Sequence, residues 1–326
     1  MNSLRDVAID MYRNSLNWTQ DRVFPVFSLI LPTLILVGCV NTAAYREPIT
    51  RFQQASTVVV EGARLEYGLT NKRERDALID KLVNKRARIT LQTLNNKDMR
   101  VLGGDDLAVR MAALDALAKH GQLLLALASS DAPSRAKDAA NSLDDALIDL
   151  ASTLRKAPSD DFKNKAEGFA AIAAEATQLA LDIKINEALD KAITASEKHV
   201  AALIRLIKDD MGALHERRRS LLSAARVAAT DDYNEELAMS KPNVEKLKKA
   251  AADIKKVEDD WDTLPLLLGA GPGLDAMAQA HQALVDYAKS TKAPQNLAEL
   301  IEATDAFVTR SKVIADAINT IRQENK

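Results

Sequence analysis

The side chains that could do chemistry in this chain are one cysteine, four histidines and six pairs of adjacent aspartates. His120, His199, His215 and His281 form no H-E-x-x-H pair: His215-Glu216 runs into Arg217-Arg218-Arg219 with no second histidine in place. The aspartate pairs at 105–106, 144–145, 160–161, 209–210, 231–232 and 259–260 have the composition of a two-carboxylate site. Several stand where a helix should begin, and there a carboxylate caps free N–H groups. Others fall on solvated helix faces. Leu264 to Gly273 reads Leu-Pro-Leu-Leu-Leu-Gly-Ala-Gly-Pro-Gly, close to a phosphate-binding glycine loop. Leu274 stands where the last glycine is needed, and Pro272 removes a donor, so a nucleotide site is not expected. Leu266, Leu267 and Leu268 are read as an apolar turn, either tucked onto the core or exposed as a partner-binding tip. The basic clusters at 72–75, 85–88 and 217–219 interleave with carboxylates and read as ion-paired helix faces. No Gly-x-Ser-x-Gly elbow occurs.

The lone cysteine has a particular setting. Cys39 follows Leu36-Val37-Gly38 at the end of an apolar run from Val23 to Val37, where the chain turns polar. A branched apolar residue, a second apolar residue, a small residue and then cysteine resembles the lipobox of bacterial lipoproteins. The resemblance implies that residues 1–38 are a signal peptide and that the Cys39 thiol is diacylated after the leader is cut away. It implies attachment to a membrane through lipid, with the remaining chain in the periplasm. The residue after the cysteine is Val40, not the aspartate that commonly retains such proteins in the inner membrane. An outer-membrane location is therefore expected, with the inner membrane as the alternative. Ahead of the apolar run, Arg5, Arg13 and Arg22 are offset by Asp6, Asp10 and Asp21. Starting at Met11 would give a more basic leader. Pro25 and Pro32 interrupt the run, which suits a cleaved signal better than a permanent span. With Cys39 acylated no thiol remains for a disulfide or a metal, so packing alone must hold the fold.

The elements that would position these groups are helices. Hydrophobic residues make up 47% and aromatics 4%, and only 11 glycines occur in 326 residues, which disfavours a sheet-rich fold. A net charge of -2 removes the usual electrostatic reason to expect nucleic acid. Apolar residues recur at steps of three and four along segment after segment. Leu143, Leu147, Leu150 and Leu154 make one such stripe, as do Leu274, Met277, His281 and Leu284. Residues 39–50 read as a lipidated tether, and 51–326 as an all-α, elongated antiparallel bundle with long coiled-coil-like helices. A division into two subdomains is expected near 156–161. Gly68-Leu69-Thr70-Asn71 reads as a kink or turn, and 162–238 as one very long helix or two.

The expected protein is a lipid-anchored structural or partner-binding helical module of the cell envelope, with a protein partner and without cofactor, metal or nucleic acid. The alternative is an envelope enzyme using carboxylates and a histidine gathered between helices.

Overall fold

The computed structural model describes residues 33–94, 102, 104–129, 133–154, 189–268 and 270–324. Every element among them is an α-helix: α1 Thr33–Asn84, α2 Leu91–Leu94, α3 Gly104–Ala128, α4 Pro133–Leu154, α5 Leu189–Leu237, α6 Val244–Leu268, α7 Ala270–Lys289 and α8 Pro294–Glu324. The all-α architecture follows directly from the spacing of the apolar residues. The chain divides into two compact units, Met1–Cys39 and Val40–Lys326.

In the second unit α1 is the element the others pack around. Tyr45, Ile49, Phe52, Val59, Ala63 and Tyr67 are buried at steps of three, four and seven, and Ala55 and Val60 widen the buried face. Ion pairs and close contacts tie this helix to α3, α5, α6, α7 and α8. Residues 41–50, read from sequence as a tether, are helical instead, with Tyr45 and Ile49 in the core at 1% and 0% exposure. Their polar neighbours lie on the opposite, wetted side, a pattern that a linear reading of composition takes for a linker. Nor does the helix break at 68–71. Thr70 caps nothing; its hydroxyl donates back to Glu66 Oε1 at 3.3 Å, while Asn71 Oδ1 accepts from the Leu102 N–H at 3.2 Å. The β-branched run at 57–60 is helical.

α3 begins at the glycine pair with Asp105 and Asp106 in its first turn, and Pro133 opens α4. Leu143, Leu147 and Leu150 of α4 face the core, as their stripe requires. α5 is one unbroken helix of 49 residues, about 70 Å long. The residues before it, with Ile172, Ile183 and the expected division at 156–161, lie outside the described residues. Up to Leu214, α5 is buried on a broad face that includes Val200, Ile204, Ile207 and Met211. Beyond Arg218 only Leu222, Ala229 and Glu236 are buried, at intervals of seven, and α6 from Leu247 to Ile254 is half-buried along one stripe. This is the narrow seam of a two-helix contact. Residues 223–251 therefore form a two-helix arm, and from Ala252 on α6 also lies beside Leu69, Arg73 and Asp76 of α1. Asn243 caps α6 by accepting from the N–H groups of Glu245 and Lys246.

Glycine has a packing role in this bundle. A Cβ on Gly62 of α1 would stand 2.6 Å from Ile314 Cγ2, and one on Gly273 of α7 would stand 2.5 Å from Ile314 Cδ1. Ile314 of α8 thus fills a hole roofed by two glycines. Gly68 is the control, with open space beside it. Gly62→Ala should destabilise by about 1–3 kcal/mol through overpacking, whereas Gly68→Ala should stabilise by about 0.5–1 kcal/mol through helix propensity. Urea denaturation of the two variants reads both signs; equal shifts would refute the close-packed crossing.

Candidate functional site

Three helices bring His120, Ser196 and His281 to one point in the core, at 4%, 2% and 3% exposure. The two imidazole Nε2 atoms are 3.2 Å apart, and the Ser196 hydroxyl lies 3.5 and 3.4 Å from them. Ser196 Oγ donates to the Ile193 carbonyl at 2.9 Å, so towards the histidines it is an acceptor. Of two facing nitrogens one must carry the proton and the other accept it. The cluster is then a pair of neutral imidazoles sharing one N–H, with the serine oxygen as a second acceptor. Phe52 of α1 packs against His281 at 6.0 Å between ring centroids. Burial pulls His281 down to about 4 and holds His120 well below the ordinary imidazole range, the nearby His281 adding to the effect. Among the described residues no group of three His, Cys, Asp or Glu side chains is placed to hold a metal ion.

Two ion pairs are buried as deeply. Arg110 of α3 grips Asp210 of α5 through Nε at 2.7 Å and Nη2 at 3.1 Å, and its Nη1 donates to the Asp106 carbonyl at 3.0 Å. Tyr67 of α1 lies beside this pair, and burial, then the charge of Asp210, push its hydroxyl far up, so it stays a neutral phenol. Arg218 of α5 donates through Nη1 to Glu66 Oε2 at 3.2 Å and through Nη2 to the Thr263 hydroxyl of α6. Burial lowers the Arg218 guanidinium, while Glu66 opposes that shift.

A third cluster closes the end of the bundle where Tyr45 enters. Lys292, held at φ 61° in the turn after α7, donates to the Tyr287 and Ala288 carbonyls at 2.7 and 2.9 Å. Its ammonium also reaches Tyr45 Oη at 2.7 Å and Asp190 Oδ1 at 3.1 Å, and lies over the Tyr45 and Tyr287 rings. One cation thereby satisfies the last carbonyls of α7 and fastens it to the starts of α1 and α5.

The structure sorts the groups singled out by sequence. His120 and His281 are brought together; His199 and His215 are not part of that cluster. Asp105 and Asp106 open α3 as expected, whereas Asp210 is a core partner and Asp260 pairs with Arg73. The 217–219 cluster is not one solvated face. Arg217 pairs with Glu74 and Arg219 with Glu216 near the surface, but Arg218 points inward and is 1% exposed. Leu266, Leu267 and Leu268 form no turn: α6 runs through Leu268 and α7 starts at Ala270. Their side chains, like those of Leu36, Val37 and Cys39, lie outside the described residues. The histidine cluster left little signal. His281 stood in an apolar stripe, which marked it as inward-facing, but nothing local linked it to His120, 161 residues away.

Two outcomes follow from this geometry. An unfolded imidazole takes its proton near pH 6.5, whereas folded His281 takes it only near 4. Between these values the unfolded chain binds more protons, so stability is full above 6.5 and falls as the pH drops towards 4, by roughly 2 kcal/mol at pH 5 from His281 alone. Unfolding free energies at pH 7 and pH 5 should diverge more for the natural chain than for His120→Leu/His281→Leu; equal divergence refutes the neutral pair. Arg218→Met leaves the Glu66 charge buried and should cost about 3–5 kcal/mol, most of it recovered when Glu66→Leu is added. Compared with protein-family models, curated proteins and solved structures, the chain matches none, so its function must be argued from its own residues.

Proposed function

We propose that this chain is a bacterial lipoprotein, anchored through lipid on Cys39 at the periplasmic face of the outer membrane, whose helical part is a structural or partner-binding module. The observation that carries the anchor is Leu36-Val37-Gly38-Cys39 itself, the only cysteine in the chain, set at the end of an apolar run. The boundary between the two compact units, after Cys39, lies one residue beyond the end of the proposed leader at Gly38. Among the described residues no helix is long and apolar enough to cross a membrane. Attachment would then fall to acyl chains, each buried methylene contributing about 0.8 kcal/mol. Tyr45 is already in the core. Only residues 40–44 separate it from the lipid, about 20 Å even when fully extended, so the module would sit close to the bilayer.

Partner binding is supported by the outer side of α5. A groove of about 740 Å³ runs past Glu216, Ser220, Ser223, Val227 and Asp231 to Trp261. Those α5 positions recur at three and four, and Val227 is 59% exposed, which suits an amphipathic helical segment of another protein. The buried histidines line neither this groove nor the smaller, more enclosed polar pocket at Arg73, Lys255 and Asp259, which favours a structural role for them over a catalytic one.

Cys39→Ser should abolish lipid labelling and leave an unprocessed chain, because a serine hydroxyl cannot form the thioether. Palmitate labelling and N-terminal mass spectrometry of envelope fractions give the readout. A variant that still matures to a chain beginning at residue 39 and keeps its label would overturn the anchor.

A further inference from the structure

The two helices of the arm differ in charge. Residues 227–239 carry Asp231, Asp232, Glu235 and Glu236 and no base, whereas 241–256 carry six lysines against Glu245 and Asp253. The lysines are not used up within the fold. Lys246 pairs with Glu236, and Lys248 reaches only exposed Glu245 on its own helix. Lys241, Lys249 and Lys255 are exposed and enter no described ion pair. Val244, Lys248 and Lys255 stand at offsets of four and seven, within about 40° of arc on α6, and Lys241 precedes them in the turn. At the same end of the arm, Leu237, Met239 and Val244 are 52%, 54% and 61% exposed.

From this we infer that the arm is a docking surface for an anionic phospholipid bilayer. Lysines in a line along one helix side meet phosphate headgroups, and their aliphatic stems let the ammonium groups stay at headgroup level. The apolar tip decides between anionic partners. A bilayer interface takes up Leu237, Met239 and Val244, whereas an acidic polysaccharide or nucleic acid would leave them in water. The acidic run at 231–236 is on α5; on α6, Asp253 stands on the side opposite the line, and Glu245 stands about 100° from Val244 with its carboxylate on Lys248. The surface is remote from the Tyr45 end: Asp190, the partner of Tyr45, and Leu237 are at opposite ends of α5, about 70 Å apart. The surface does not depend on lipid at Cys39, and in a lipidated chain it would be a second, separate membrane contact.

The test uses the full chain reconstituted into phosphatidylcholine donor vesicles and mixed with acceptor vesicles. Acceptors rich in phosphatidylglycerol should be tethered, and raised salt should release them; phosphatidylcholine acceptors should stay free. Lys241→Glu/Lys248→Glu/Lys255→Glu should enter donors as well as the natural chain does, by flotation, yet tether at least about 100-fold more weakly, roughly fivefold for each lysine lost. Leu237→Ser/Val244→Ser, which keeps the charge, should weaken tethering about tenfold, with circular dichroism confirming that both variants stay helical. Tethering that the lysine variant retains, or that neutral acceptors share, overturns the inference. So does a loss confined to binding of an acidic polymer such as heparin. A chain that fails to enter donors counts against the Cys39 anchor alone, and co-sedimentation with the anionic vesicles then reports on the arm.

Discussion

Burial of α1 on several sides at once is the constraint on which the rest of the bundle depends. A helix that keeps Tyr45, Phe52, Val59 and Tyr67 from water needs apolar faces around it, and α3, α5, α7 and α8 supply them. Polar groups on its buried side find partners within the protein or, like the Tyr67 hydroxyl, lie beside a buried ion pair. Ser56 donates to the Phe52 carbonyl at 2.7 Å, Thr70 donates to Glu66, and Glu66 accepts from Arg218. The closeness of the packing is set at Gly62, where Ile314 occupies the space a side chain would need. These satisfactions come from different helices, so α1 is held correctly only when they are all in place.

The polar groups in the core also define which helices belong together. Arg110–Asp210 joins α3 to α5, Glu66–Arg218 joins α1 to α5, and the histidine pair joins α3 to α7 across Ser196 of α5. Apolar stripes of leucine and alanine resemble one another and tolerate slippage; a buried charge does not, because a displaced register would leave it unpaired at a cost of several kcal/mol. In this bundle the buried ions and imidazoles act as registry marks among similar helices. Their depth makes them poor candidates for contact with a substrate.

Function is then expected on the surfaces left over. The end of the bundle where Tyr45, Asp190 and Lys292 meet is tightly cross-linked. The α5–α6 arm beyond Arg218 is held by a single seam and exposes a groove, an apolar tip and a line of lysines. On the proposed reading, a cross-linked base near the lipid and a sparsely packed arm far along α5 would divide anchoring from recognition within one fold.

The sequence by itself determined that the chain is helical, because apolar residues at steps of three and four leave no other regular structure able to bury them. It also pointed to the start of α3 at Asp105 and Asp106, the inward faces of α4 and α7, and the singular position of Cys39. It misjudged residues 41–50, because wetted polar residues on one helix side look like a linker until a neighbour's packing is known, and it read 266–268 as a turn where α6 is still helical. Only the tertiary structure decided that Arg218 and Asp210 are core residues, that His120 meets His281, and that the second half of α5 leaves the bundle as an arm. Each of those depends on residues distant in sequence arriving at one place, and local spacing holds no record of which similar-looking stripe will face which.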